Sequence, residues 1–221
     1  MSSSRKPVQR VDYILSQCEG KRVLHLGCTN WPYTEPSIAE GSLLHAAIRD
    51  RCAELHGIDA DERGIELMRE HGFEDLYLGD LEMLDSCEVD GTFDVIIAGE
   101  TIEHLNNPGL FLNGVKRFLH GDSILLITTI NAYCAVRYLQ YAFRGKGGEN
   151  EPVHPDHVAY YSVSTLGLLL KRHGFEHNDI VFYDIGSEHR THNRRIINLA
   201  NDIAVRLFPQ LSDGLIAKCR L

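Results

Sequence analysis

Val23-Leu24-His25-Leu26-Gly27-Cys28 is a short apolar run that breaks on a glycine. Three further runs follow the same plan. Leu55-His56-Gly57-Ile58 ends on Asp59, Leu76-Tyr77-Leu78-Gly79 on Asp80, and Phe93-Asp94-Val95-Ile96-Ile97-Ala98-Gly99 on Glu100. Apolar runs of this length bounded by turn signals read as buried strands. In an open parallel sheet, ligands sit outside the carboxyl ends of the strands, at the switch point in strand order. One glycine turn and three strand-end acids at rising positions therefore describe a single cleft, each rung suited to one part of a nucleoside cofactor.

Helical patterns fill the intervals. Apolar residues 8, 11, 14 and 15 predict a helix over 8–18, and Leu43, Leu44, Ala47 and Ile48 share a face of one starting near Ser42. Residues 29–36, with Pro32 and Pro36, read as a loop. Ala60-Asp61-Glu62 opens a helix with Ile65, Leu67 and Met68 inward, and Gly72 stops it. His104 to Leu119 reads as another, with Leu110, Phe111, Val115 and Phe118 on one side, before a buried strand at 123–129. This alternation is the pattern of a parallel sheet covered on both faces. The second half is less regular. An aromatic helical run at 131–150 leads to an irregular stretch holding His154 and His157. A helix over 164–173, a strand over 179–183, a helix over 193–208 and a last strand from Gly214 complete the chain. The expected architecture is a Rossmann-like, doubly wound α/β sheet of seven strands, mostly parallel with the last antiparallel. It forms one domain over 1–221, with a cofactor-binding half at about 20–130 and a substrate-side insert at about 131–160.

Composition narrows the partners. With 221 residues, 43% hydrophobic and 24% charged, the chain has ordinary globular proportions. No apolar stretch reaches the ~18–20 residues of a membrane span, and the N-terminus lacks the apolar segment of a signal peptide. Six cysteines without CxxC spacing argue against a zinc knuckle or a disulfide framework, so a cytoplasmic setting is expected. A formal net charge of −9 argues against a nucleic-acid partner; the local run Arg190 to Arg195 reads as the solvated start of a helix. A small-molecule substrate is the expected partner, and the sequence leaves the oligomeric state open.

A dinucleotide site needs G-x-G-x-x-G so that two phosphates can approach the backbone. Here Gly27 is followed by Cys28-Thr29-Asn30-Trp31, which offers a pyrophosphate no cradle. A cofactor without phosphates needs only a tight turn, an acid for ribose and a polar contact for adenine. At this point VLHLGC (23–28), HGID (56–59), LGDLE (78–82), FDVIIAGETIEHLNNP (93–108) and ILLITTIN (124–131) resemble the class I S-adenosylmethionine-dependent methyltransferases. The resemblance covers residues 20–185. It implies that Gly27 and Cys28 meet the methionine part of S-adenosylmethionine, Asp59 and Ala60 the ribose, and Asp80 and Leu81 the adenine, with Glu100 completing the cofactor side. The sequence departs from the family in keeping one glycine of the first motif and in a longer loop at 29–41. Trp31 and Tyr33 in that loop either cover the cofactor or pack the loop on the sheet.

At the reacting end, Glu100, Glu103 and His104 stand at i, i+3 and i+4, one face if the segment is helical. His104 is the expected general base because imidazole titrates near neutral pH, with Glu103, His154 and His157 as further catalytic candidates. Similarity to the small-RNA 2′-O-methyltransferases and the ubiquinone-pathway O-methyltransferases implies another use for the group. In those branches E-x-x-E-H residues bind a metal, so Glu100, Glu103, His104 and His157 would be the ligands of a divalent ion. Metal-free relatives carry a similar pair, and metal binding is the less favoured reading. The sequence-level expectation is O-methylation of a sugar or other small hydroxylated metabolite. The alternatives are metal-dependent 2′-O-methylation of RNA and a non-catalytic cofactor-binding scaffold.

Overall fold

The computed structural model describes residues 6–145, 155–185 and 195–221. Their strands are β1 (Val8–Gln9), β2 (Arg22–Leu26), β3 (Glu54–Asp59), β4 (Leu76–Leu78), β5 (Phe93–Gly99), β6 (Leu119–Ile130), β7 (Glu176–Asp184) and β8 (Gly214–Arg220). The helices are α1 (Arg10–Cys18), α2 (Thr34–Ala39), α3 (Leu44–Arg49), α4 (Glu62–Glu70), α5 (Pro108–Val115), α6 (Ala135–Arg144), α7 (Val163–Arg172) and α8 (Arg195–Leu207). All strands join one sheet in the order β1-β7-β8-β6-β5-β2-β3-β4. β8 runs antiparallel to β6 and β7, and every other pairing is parallel.

Alternation along the strands builds a core on each face. Leu24, Leu26, Ile96, Ala98, Leu125 and Ile127 pack with Phe111 and Val115 of α5 and Leu166 and Leu170 of α7. Val23, Val95, Ile97, Leu126 and Ile216 pack with Ile14 of α1 and Ile48 of α3. Each such Leu, Ile, Val or Phe side chain, fully buried, contributes roughly 1.5–3 kcal/mol.

The sheet has eight strands, not seven. Val8 and Gln9 pair with Tyr183 and Asp184 instead of opening the first helix, which begins at Arg10. A two-residue edge strand carries no periodicity of its own. The 29–41 segment is not all loop either: Pro36 falls in the first turn of α2, where its missing N–H costs no helical hydrogen bond. The helix expected from His104 starts at Pro108. A proline disfavours helical backbone in the residue before it and suits the first helical position. The Ile102–His104 turn ahead of it is a separate short 3-10 turn. Leu110, expected inward, is 54% exposed, and Leu67 is only half-buried. His154 and residues 190–194 of the arginine run lie outside the described residues.

Gly27 turns the chain out of β2 with φ +73°, and a Cβ there would meet the Thr101 hydroxyl at 2.6 Å. The Thr101 Oγ1 is itself held by the carbonyls of Leu26 and Gly99, at 3.3 and 3.2 Å. Gly27→Ala is therefore expected to lose about 1–3 kcal/mol of stability in urea unfolding. Adding Thr101→Ala should restore part of that loss; a wild-type midpoint for the single variant would contradict the turn's role.

Candidate active site

The parallel strands deliver their carboxyl ends to a cleft of about 1370 Å³. Gly27, Asp59, Ala60, Asp80, Leu81, Glu100, His104 and His157 line it, as the sequence reading expects. Cys28 does not. Successive strand-end residues face opposite ways, and its fully buried thiol packs with Leu43, Ile65 and Met68. Burial, reinforced by nearby Asp59, pushes that thiol well above its ordinary pKa, so it is not a thiolate nucleophile.

Asp59 organises the turn after β2. Its Oδ2 accepts from the Thr29 N–H at 2.9 Å and the Thr29 hydroxyl at 3.0 Å, and its Oδ1 accepts from the Asp61 N–H at 3.0 Å. A carboxylate has about four acceptor positions, so Oδ1 retains capacity for another donor. Asp80 accepts from the Glu82 N–H at 2.8 Å through Oδ1. Glu82 in turn takes both the N–H and the side-chain amide of Asn107, tying the β4 end to the loop after His104. Trp31 and Tyr33 line the cleft while 58% and 60% exposed, so they stand at its rim rather than against the sheet.

The two acids of the E-x-x-E-H segment part company. Glu100 has φ +52° and is not helical. Its Oε1 accepts from the Thr128 hydroxyl at 2.9 Å and the Tyr183 hydroxyl at 2.7 Å. Glu103 instead accepts from the next residue, Thr129, at 2.9 Å. Neighbouring residues of β6 point to opposite faces, so the acids lie on opposite sides of the sheet end. Ligating atoms of Glu103, His104 and His157 lie within 4.8 Å of one another, and Glu100 is not in that group. The four-ligand metal set is thereby reduced to three.

Glu103 is fully buried, and its Oε1 has no hydrogen-bond partner among the described residues. Burial, and secondarily the nearby Glu100, push its carboxyl up to about 8. With no cation beside it, this carboxyl is protonated at neutral pH and can hold a proton next to the two imidazoles. The His104 and His157 rings meet edge to face with centroids 4.6 Å apart. The Glu103 carbonyl accepts the N–H groups of Val158 and Ala159, at 2.9 and 3.2 Å, and so clamps the His157 segment in place.

Residues the sequence reading missed also face the cleft. Arg10 enters it because β1 sets the start of α1 at the sheet end. His25, within β2, lines the cleft, with its Nδ1 3.2 Å from that of His45. Thr101 lines it beside Gly27.

A profile of the methyltransferase-domain family matches residues 4–179. The chain belongs to the class I S-adenosylmethionine-dependent methyltransferases. Its sequence is 26% identical over 206 residues to the ubiquinone biosynthesis O-methyltransferase of Pseudomonas aeruginosa, covering 86% of this chain and 78% of that one. The corresponding protein of Mesorhizobium japonicum is 30% identical over 116 residues, 51% of this chain and 42% of that protein's length. In fold it is similar to an S-adenosylmethionine-dependent methyltransferase from Archaeoglobus fulgidus, with TM-score 0.56, 20% identity, and 95% and 91% of the two chains covered. S-adenosylmethionine is the cofactor of this methyltransferase. No helix among the described residues is long and apolar enough to cross a membrane.

The Glu103 environment has a pH signature. The folded state keeps a proton that the unfolded chain gives up near pH 4.5. Stability should therefore fall as pH rises from about 4.5 through about 8, since the native state binds more protons there. Glu103→Gln should flatten that decline in denaturant titrations from pH 5 to 9. An equal slope in both proteins would place the buried proton elsewhere.

Proposed function

We propose that this methyltransferase acts on a hydroxyl oxygen of a sugar or other small hydroxylated molecule, with His104 as the general base. The observation that carries the reading is the His104–His157 contact on the cleft wall, backed by the buried carboxyl of Glu103. The O-methyltransferase names of the relatives support the choice of acceptor atom.

The site's residues divide the work. The Gly27 turn takes the methionine part of the cofactor, Asp59 with Ala60 a ribose hydroxyl, and Asp80 with the Leu81 N–H the adenine. When bound, the cofactor supplies an electrophilic methyl group on a sulfonium. The protein must then hold the acceptor oxygen in line and remove its proton. Positioning contributes up to ~7–11 kcal/mol in favourable cases. His104 takes the hydroxyl proton as the oxygen becomes the nucleophile. His157, fixed by the Glu103 carbonyl clamp, orients the His104 ring through their edge-to-face contact. Glu103 lies behind them as a neutral hydrogen-bonding group. His154 stays a candidate on sequence grounds alone.

The test is labelled methyl transfer from S-adenosylmethionine into the small-molecule fraction of a cell extract. His104→Ala should lower transfer by about 10²- to 10⁴-fold, the usual share of a general base. Calorimetry should show cofactor affinity unchanged in the same variant. Full transfer by His104→Ala would remove the base assignment, and label in macromolecules alone would remove the small-molecule acceptor.

A further inference from the structure

We propose that the outer face of α6 and α8 docks on an anionic lipid surface, so that the protein lies on a membrane without spanning it. The inference is independent of the acceptor and the base assigned above.

A surface helix ordinarily buries its apolar stripe and shows its polar face to water. α8 does the reverse. Leu199, Ile203 and Leu207 stand at i, i+4 and i+8, one face of the helix, and are 52 to 65% exposed, with Phe208 exposed beside them. The opposite side carries Asn201, which is fully buried, and neither polar atom of its side chain has a hydrogen-bond partner among the described residues. Burying an unpaired amide is costly. Of the large apolar side chains described on α8, only Val205 is buried. α6 packs against α8 and adds an aromatic set of its own. Tyr138 and Tyr141 are exposed one turn apart, Tyr133 is exposed ahead of them, and Phe143 near the helix end is 85% exposed. Singly scattered apolar exposures are normal on a protein surface; eight large ones on two packed helices mark an interaction face.

Charge selects the occupant. The chain as a whole has a formal net charge of −9. α6 and α8 depart from it, with Arg137, Arg144, Arg195 and Arg206 against a single acid, Asp202. Arg137 is held inward by the Asn131 and Asp213 carbonyls, at 2.9 and 3.5 Å, whereas Arg206 is exposed on the same face as Ile203 and Leu207. Basic side chains beside aromatic and aliphatic ones, on a helix that does not span, are the composition of an interfacial surface. Tyrosine suits the headgroup level, with an apolar ring and a polar tip, and arginine is drawn to anionic headgroups. A second copy of the chain would set the same basic helices against each other, so it fits the face less well. α6 also adjoins the reacting end. The Arg137 guanidinium lies 5.9 Å from the centroid of the Tyr160 ring, and that ring 6.1 Å from the His157 ring. A docked molecule therefore keeps the His157 side of the cleft next to the surface.

The experiment is co-sedimentation of the full chain with two kinds of vesicle, phosphatidylcholine alone and an equal mixture of phosphatidylcholine and phosphatidylglycerol. Binding is expected to the mixed vesicles, and it should weaken as salt is raised. Leu199→Asp combined with Ile203→Asp should lower it at least about tenfold, the scale of one apolar side chain's burial. Phe143→Asp, on the other helix, should lower it several-fold. The urea midpoints should stay near that of the wild type, because all three side chains are exposed. No binding by the wild type, or equal binding to both kinds of vesicle, would overturn the proposal. So would folded variants of both helices that bind as the wild type does. A solution dimer that the double variant dissolves, without vesicle binding, would give the face to a second copy instead.

Discussion

Parallel pairing of β2 with β3 on one side and β5 on the other is the constraint on which the site depends. Leu26 opposite Ile58 and Ala98 sets three strand ends level. Gly27 follows β2 at once, Asp59 ends β3 while paired with Leu78 of β4, and Glu100 stands one residue beyond Gly99, the last of β5. Asp59 spends part of its capacity on Thr29 and Asp61, which fixes the turn beyond Gly27. Thr101 fills the space a side chain at position 27 would need. The turn at the head of the cleft is therefore held by its own contacts before any ligand enters.

The same pairing explains how two acids three residues apart acquire different chemistry. Thr128 and Thr129 are consecutive on β6, so their hydroxyls point to opposite sides of the sheet. Glu100 follows the first and joins the side of Tyr183, Arg10 and His25. Glu103 follows the second and is buried beside His104 and His157. One carboxylate receives two hydroxyl donors at a single oxygen; the other has one donor, no solvent, and a raised pKa. Environment, not residue type, separates the two carboxyls.

Asp59 and Asp80 were legible in the sequence because each follows an apolar run, and strand ends define a cleft in this architecture. His104 and His157 were separate candidates in the sequence, and the Glu103 carbonyl, which holds the segment after His157, brings them together. Helical spacing misled at Glu100, since a left-handed residue and then Pro108 break the period. Arg10 was hidden because its placement depends on two residues pairing with a strand near the other end of the chain. Cys28 was assigned to the cleft by its neighbour, whereas the alternation of side chains turns it inward. Periodicity reports which face an element buries; it does not report which distant strand will fix a polar group.

The most direct measurement of the central claim is a crystal structure with S-adenosylhomocysteine bound. The account requires the ribose at Asp59, the adenine between Asp80 and Leu81, and the sulfur on the side of the cleft nearest His104. A ligand bound outside this cleft, or reversed so that adenine meets Glu100, would contradict it.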